Sequence, residues 1–315
     1  MALTWAVSDG RAGNARQAEA LAQALHSAPV TALHLQARAP WRWAAPRLLP
    51  GAQAAFGSGF ARQLQQPPAL AIGCGRQAAL ATRLLRTRGS QVVQLLDPRL
   101  DPRHWDLLVV PEHDALRGAN VLTLLGSLHP VDDAWLAAGR TAFAALGVQP
   151  GPRLALLIGG PTTQLPWTTE ALAALCTHLR AQVLAAGGSL LVTTSRRTPP
   201  EAIATLRKLH AGLPGLLWCD EHDGPNPYAG LLGWADAIVA SADSVNLLSE
   251  ACATRVPVAA AFAGQAQGRV ATYVRALQAR GRLCDAGDVF AAPPQLHPLR
   301  ETQRIAALVR ARLHV

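Results

Sequence analysis

Short apolar runs alternate with longer stretches of helical periodicity along most of the chain. In the first half, runs of strand length lie at residues 3–7, 30–35, 69–72, 92–96, 105–110 and 121–124. Helical spacing of apolar residues follows the first of these runs, from about residue 15 to residue 26. This alternation predicts an α/β fold in which helices connect parallel strands.

The alternation stops between residues 128 and 152 and begins again at Arg153. The second series has strand-length runs at residues 153–158, 189–194, 216–219, 237–240 and 256–261. We therefore predict two α/β domains, residues 1–130 and 131–297. Residues 298–315 have the pattern of an amphipathic helix, which we expect to cross back to the first domain.

Residues 235–261 read as a strand, a small polar turn, a helix and a second strand. In an open α/β sheet, ligands bind where a loop leaves the carboxyl end of a strand and opens a helix. Asp243 or Ser244 can cap this helix, and Asp243, Asn246 and Glu250 are spaced to share one helical face. The pattern fits a ligand with phosphate and sugar hydroxyls, and a capped surface helix is the alternative.

Two more loops of the second half follow predicted strands. Gly159 and Gly160 follow one strand and suit a loop that approaches a phosphate closely. Ser195, Arg196 and Arg197 follow the next strand, and guanidinium groups form bidentate hydrogen bonds with phosphates. A solvated pair of charges is the alternative for the two arginines.

The loop after the first strand carries a similar set of polar residues. Asp9 supplies a carboxylate, Gly10 and Gly13 permit a close backbone approach, and Asn14 and Gln17 add amide groups. These residues predict a second ligand-facing loop. A turn with an Asx-type hydrogen bond is the alternative for each of them.

Residues 73–78 form a formal G-x-G-x-x-A motif, and Asp97 follows after another predicted strand. On paper this is the dinucleotide-binding pattern of a nicotinamide enzyme. The motif lies in a later strand–helix unit and not in the first one, so we rank a dinucleotide oxidoreductase below the other functions.

Composition narrows the class of protein. The chain has 315 residues, half of them hydrophobic, which is enough for a large core. Its net charge is +9, but Lys208 is the single lysine and the arginines are scattered, so we expect no nucleic-acid binding. The charge favours anionic ligands or membrane surfaces.

The cysteines and the apolar segments indicate the cellular compartment of the protein. Five cysteines lie far apart with no C-x-x-C pair, so neither a disulfide framework nor a zinc site is indicated. We find no signal peptide and no apolar run of membrane-spanning length. These features predict a cytoplasmic protein.

Residues 39–66 differ from their surroundings. Prolines break up this segment, and aromatic residues alternate with arginines at Trp41, Arg42, Trp43 and Arg47. The segment either folds over the domain as ordinary core, or forms an amphipathic surface that makes weak peripheral contact with the inner membrane.

Five motifs in chain order resemble the mitochondrial fission "elongated mitochondria" family, here in a bacterial form. They are D-G-R-A-G-N-A-R-Q at 9–17, L-I-G-G at 157–160, T-T-S-R-R-T-P at 193–199, N-P-Y at 226–228 and A-D-S-V-N-L-L-S-E-A at 242–251. That family is similar to GT-B glycosyltransferases. The resemblance implies two Rossmann-like domains that face each other across a cleft.

The resemblance also implies positions for the ligands. A donor diphosphate would lie near Ser244, a ribose near Glu250, and the acceptor near Asp9 to Asn14. Asp9 is the titratable residue of its loop and is the candidate base. The candidate substrate-binding residues are Gly10, Gly13, Asn14, Gln17, Gly159, Gly160, Ser195, Arg196, Arg197, Asn226, Tyr228, Asp243, Ser244, Asn246, Ser249 and Glu250.

Two classes of function follow. The first is a metal-independent, inverting glycosyltransferase without a cofactor, which binds a nucleotide sugar or nucleoside diphosphate and a lipid-linked or saccharide acceptor. The second is a catalytically inactive scaffold of the same shape, because eukaryotic members of the family are linked to recruitment of the division dynamin.

Overall fold

The computed structural model describes residues 3–25, 30–287, 289–291 and 297–315. Its elements up to residue 124 are β1 (Thr4–Ser8), α1 (Ala12–Leu25), β2 (Val30–His34), α2 (Trp41–Ala44), α3 (Gly57–Gln63), β3 (Leu70–Cys74), α4 (Arg76–Arg86), β4 (Gln91–Leu95), β5 (Leu107–Pro111) and β6 (Val121–Leu124). These form an alternating α/β series, as the apolar pattern predicts.

The second series begins with α5 (Asp133–Ala142). It continues with β7 (Arg153–Ile158), α6 (Thr169–Ala185), β8 (Ser189–Thr194), α7 (Pro200–His210), β9 (Gly215–Trp218), α8 (Tyr228–Trp234), β10 (Ala237–Ser241), α9 (Val245–Cys252), β11 (Val258–Ala261), α10 (Gly268–Ala279) and α11 (Glu301–Leu313). The chain divides into two compact units: unit 1 is Met1–Pro130 with Glu301–Val315, and unit 2 is Val131–Arg300.

Unit 1 is built on a parallel sheet that, in the described residues, has six strands in the order β2-β1-β3-β4-β5-β6. The order reverses between β1 and β3, whose ends pair Ser8 with Cys74. The sheet is apolar on both faces, as expected for parallel strands covered by helices on both sides. The α/β class predicted from the sequence is therefore confirmed.

Helix α11 belongs to unit 1 although it comes last in the chain. The backbone N–H of Leu125 donates to Glu301 Oε2 (3.0 Å), and the Thr302 hydroxyl donates to the carbonyl of His129 (2.7 Å). Ile305 and Val309 then pack into the core beneath the sheet, against residues of α1 and β3. This helix thus completes one apolar layer of unit 1.

Unit 2 is built on a second parallel sheet, with the order β11-β10-β7-β8-β9 among the described strands. Its order reverses between β7 and β10. Helices α5 and α8 pack closely, because a Cβ atom on Gly139 would lie 2.4 Å from the carbonyl oxygen of Ala229. Both sheets are of the open type in which an order reversal opens a crevice at the strands' carboxyl ends.

The Pro-rich segment of residues 39–66 divides its aromatic side chains between core and surface. Phe60 is buried and contacts Phe56 edge to face at 5.1 Å, and the indole N–H of Trp41 donates to the carbonyl of Pro50 (3.1 Å). Trp43, in contrast, is 67% exposed, and Leu48 is also exposed. Among the described residues, no helix is both long enough and apolar enough to span a bilayer.

The position of α11 predicts how unit 1 responds to substitution. Ile305→Ala removes fully buried methyl groups and should lower the free energy of unfolding by about 2–5 kcal/mol. The matched control is Leu308→Ala on the same helix, where the side chain is 37% exposed and the cost should be about 0.5 kcal/mol. Denaturant titration measures both, and equal destabilisation by the two variants would show that α11 does not pack in this way.

Candidate functional site

The order reversal in unit 2 places the carboxyl ends of β7 and β10 side by side. Gly159 and Gly160 continue from β7, and Asp243 and Ser244 follow β10. The backbone N–H of Gly159 donates to the Ser241 hydroxyl oxygen (2.7 Å), so the two strand ends are joined by a buried hydrogen bond. This is the point of an open α/β sheet where ligands bind.

Asp243 connects three loops at this edge. Its Oδ2 atom accepts hydrogen bonds from the Gly160 backbone N–H (3.0 Å) and from Nη2 of Arg197 (2.8 Å). The Asp243 side chain is fully buried, and its Oδ1 atom has no hydrogen-bond partner among the described residues. The loops after β7, β8 and β10 are therefore held together by one carboxylate.

Gly159 and Gly160 are required by this packing. A Cβ atom on Gly159 would lie 2.1 Å from Asp243 Oδ2, and one on Gly160 would lie 2.2 Å from the carbonyl oxygen of Arg197. Both distances are far shorter than any van der Waals contact. The absence of side chains here lets protein groups approach, and the approach of a phosphate stays a prediction.

The loop after β8 is a tight turn from Ser195 to Thr198. The Ser195 hydroxyl accepts from the Arg197 N–H (3.1 Å), and the Thr198 hydroxyl lies 2.5 Å from the carbonyl oxygen of Gly159. These bonds fix the turn against the end of β7. Arg196 and Arg197 occupy the exposed middle of the turn.

Helix α9 begins at Val245 and is capped by Ser244. The Ser244 hydroxyl accepts a hydrogen bond from the Leu247 N–H (3.3 Å), which leaves Asp243 outside the helix. The sequence predicts either Asp243 or Ser244 as the N-cap of this helix, and in the structure Ser244 has that role. The expected common face of Asp243, Asn246 and Glu250 does not form, because Asp243 turns towards Gly160.

Glu250 lies on the second turn of α9 and is only 1% exposed. Its Oε2 atom accepts a short hydrogen bond from the hydroxyl of Tyr228, and the Tyr228 N–H donates to Asn226 Oδ1 (3.0 Å). The N-P-Y motif and the end of the A-D-S-V-N-L-L-S-E-A motif are thus adjacent. Ser249 bonds separately with the hydroxyl of Tyr273 (2.7 Å), whose pKa is raised by burial.

In unit 1, the order reversal brings the first loop next to the end of β3. Asn14 Nδ2 donates to Asp9 Oδ1 (2.9 Å), and the Cys74 thiol lies 3.6 Å from Asn14 Oδ1. Burial, together with the nearby Asp9 carboxylate, raises the pKa of Cys74. A Cβ atom on Gly75 would lie 2.6 Å from Asn14 Nδ2. The 73–78 motif and the first loop, separate in the sequence, form one polar cluster.

The other predicted residues of the first loop differ from one another in position and burial. Helix α1 begins at Ala12, earlier than the periodicity indicates, so Gly13 and Asn14 are in its first turn. Gly10 adopts a left-handed conformation with φ +80°, which explains the glycine at this turn. Gln17, one helical turn beyond Asn14, is buried, whereas Gly10 in the loop is exposed.

His34 is a titratable residue at this edge that the sequence analysis missed. It ends β2, and the register of the parallel pair places it opposite Ser8. Its Nδ1 atom lies 2.9 Å from the Ser8 hydroxyl oxygen, which also accepts from the Gly10 N–H (3.2 Å). If the first two predicted strands are paired in parallel, their ends meet, and His34 is then expected beside Ser8.

Gly73 of the 73–78 motif and the acidic residues after β9 have structural roles of their own. A Cβ atom on Gly73 would lie 2.6 Å from Thr82 and 2.7 Å from Gln94, so this glycine lets α4 pack on the sheet. Asp220 and His222 form an exposed local pair at 2.9 Å. Across the described parts of the chain, no three His, Cys, Asp or Glu side chains gather as a metal-binding group.

A family model described as "Mitochondrial fission ELM1" matches residues 12–313 of the chain. The chain belongs to this family. It is 30% identical over 283 residues to the mitochondrial fission protein ELM1 of Arabidopsis thaliana, an alignment that covers 78% of this chain and 64% of that protein. The chain therefore spans slightly less than two thirds of the length of this relative.

Solved structures identify the fold of this family member as GT-B-like. MurG of Acinetobacter baumannii matches with a TM-score of 0.53 and 14% identity over 99% of this chain and 100% of that chain. The UDP-GlcNAc 2-epimerase of Neisseria meningitidis, bound to UDP-GlcNAc, matches with a TM-score of 0.51 and 12% identity over the full length of both chains. At these identities the similarity shows the fold alone. The predicted family and fold class are confirmed.

Proposed function

We propose that unit 2 binds a nucleotide sugar or a nucleoside diphosphate at the carboxyl ends of β7, β8 and β10. We further propose that the protein is a metal-independent, inverting glycosyltransferase that needs no cofactor. One observation carries the proposal: the strand-order reversal gathers Gly160, Arg196 and the start of α9 at a single edge.

The charges at this edge favour a diphosphate. The start of a helix carries a partial positive charge of about +0.5, and α9 directs it towards the loop ends. Arg196 adds a full positive charge on an exposed turn. An anionic ligand can therefore be bound by protein groups alone.

Glu250 suits the ribose of such a ligand. A carboxylate accepts hydrogen bonds from two neighbouring hydroxyl groups, and Tyr228 holds this carboxylate in place on α9. The Neisseria epimerase of the same fold is bound to UDP-GlcNAc, which makes uridine nucleotides the first probes for this chain.

The donor site predicts a selective effect of Glu250→Gln. This variant keeps the side-chain shape but removes the charge, so UDP affinity should fall on the order of tenfold while pyrophosphate affinity stays the same. Calorimetric titration of both ligands measures this, with Glu19→Gln in unit 1 as the matched control. Equal losses for UDP and pyrophosphate would contradict the ribose role, and a parent protein that binds no nucleotide would contradict the donor site.

Glycosyl transfer also needs a group that takes the proton from the acceptor hydroxyl. The proposed base is Asp9. Asn14 and the backbone N–H of Arg11 both donate to Asp9 Oδ1, which fixes the carboxylate. Within the described residues, Asp9 Oδ2 makes a longer contact with Arg11 (3.7 Å). The acceptor would be a saccharide or a lipid-linked group.

Asp9→Asn should lower UDP release from a nucleotide sugar by about 100-fold or more, with little change in UDP affinity. The amide keeps the shape of the side chain and loses only its basicity. His34→Gln is measured beside it, because the His34 imidazole also lies next to Ser8. Loss of turnover in His34→Gln alone would transfer the role of base to His34, and loss of UDP affinity in Asp9→Asn would make Asp9 a binding residue.

The second candidate function is that of a catalytically inactive scaffold. The name of the Arabidopsis relative, a mitochondrial fission protein, favours it. A chain that binds UDP but never releases it from any nucleotide sugar would support the scaffold over the enzyme.

We also propose weak peripheral contact with an anionic membrane through residues 42–49. Trp43 and Leu48 are exposed next to Arg42 and Arg47, and the Arg42 guanidinium lies 5.9 Å from the centroid of the Trp43 ring. An apolar group can enter the bilayer interface while arginines meet anionic head groups.

Flotation with vesicles of phosphatidylglycerol and phosphatidylcholine at low salt tests the contact. The parent protein should float, and added salt should release it because the attraction is screened. The double variant Trp43→Ser, Leu48→Ser should lose most of the bound fraction. Val148→Ser, Leu184→Ser removes exposed apolar groups from unit 2 and is the matched control. Flotation of the Trp43 variant at the parental level would exclude the contact.

A further inference from the structure

The two arginines of the 195–198 turn have different surroundings, although the sequence makes them equivalent candidates. Arg197 donates through Nη2 to Asp243 Oδ2 (2.8 Å), and its Nη1 lies 3.5 Å from the carbonyl oxygen of Gly160. Arg196 is exposed and has no hydrogen bond or ion pair within the described residues. One guanidinium is therefore engaged by the protein and the other is available.

The engagement of Arg197 follows from the burial of Asp243. A buried carboxylate is costly unless it is paired with a cation, and removing one partner of a buried pair leaves an uncompensated charge. If Arg197 moved to a phosphate, Asp243 would be left as a buried negative charge beside an incoming anion. We therefore expect Arg197 to stay with Asp243 when an anionic ligand binds.

The pair also holds the backbone of the site in place. Asp243 accepts from the Gly160 N–H, and the hypothetical Cβ contacts of Gly159 and Gly160 show that the loops pack together with no room for a side chain between them. Because Arg197 and Asp243 cancel each other's charge, the net positive charge of the turn comes from Arg196.

We propose that Arg196 is the phosphate-binding arginine and that Arg197 and Asp243 form a positioning pair that does not contact the ligand. This inference rests on the proposed function, since it names which side chain of that site meets the diphosphate. It changes the role of Asp243 from a substrate-binding residue to one that fixes three loops.

Calorimetric titration with UDP and uridine, together with thermal melting of the ligand-free protein, tests the assignment. Arg196→Gln should weaken UDP binding on the order of tenfold, leave uridine binding and the melting temperature as in the parent, and be partly rescued by Arg196→Lys. Arg88→Gln, an exposed arginine in unit 1, is the matched control.

The pair is tested by a charge-balanced double variant. Arg197→Gln and Asp243→Asn should each lower the melting temperature, because each leaves a partner unpaired. The double variant Arg197→Gln, Asp243→Asn should recover much of that loss and keep UDP affinity within about threefold of the parent. Recovery of the melting temperature in the double variant would show that each single variant loses stability because a partner is left unpaired, and not because the substitution itself disrupts the fold.

Two results would overturn the proposal while leaving the proposed nucleotide site intact. One is a double variant that folds well and loses UDP affinity as strongly as Arg196→Gln, which would make Arg197 a direct phosphate ligand. The other is Arg196→Gln with parental UDP affinity. A parent protein that binds neither UDP nor pyrophosphate contradicts the proposed function and the phosphate role of Arg196 together, whereas the melting temperatures still decide whether Arg197 and Asp243 form a pair.

Discussion

The ion pair between the buried Asp243 carboxylate and the half-exposed Arg197 is the interaction on which the candidate site of unit 2 depends. The carboxylate is enclosed and needs a cation, and it also accepts the backbone N–H of Gly160. The pair therefore fixes the three loops that leave β7, β8 and β10. Glycine at 159 and 160 follows as a consequence, because any side chain there would collide with Asp243 or with the backbone of Arg197.

The polar cluster of unit 1, like the site of unit 2, lies where the order of the strands reverses. The order reversal between β1 and β3 brings Asp9 and Asn14 next to Gly75. Here a hydrogen bond from the neutral Asn14 amide to the Asp9 carboxylate takes the place of the ion pair in unit 2. His34 joins this edge through the register of β2 on β1. Each unit thus gathers its polar residues where its strand order reverses, which is the position that open α/β sheets use for ligands.

Burial distinguishes residues that the motifs treat alike. Glu250 and Asn246 belong to one motif, yet Glu250 is enclosed and bonded to Tyr228, while Asn246 is partly exposed at the start of α9. Arg196 and Arg197 are adjacent in the chain, and only Arg197 meets a buried carboxylate. Residue type and spacing indicate chemistry, and only the structure shows which partner each of these side chains has.

The sequence by itself determined the α/β class, the two series of strands and helices, and the family. Apolar runs of strand length and helical spacing are local properties, and five motifs in order carry the family resemblance. The tertiary structure alone decided that Ser244 caps α9, that Asp243 holds Gly160 and Arg197, and that His34 lies beside Ser8. These contacts join residues that are far apart in the chain, or choose between neighbours, so they depend on strand order and register, which local patterns do not encode.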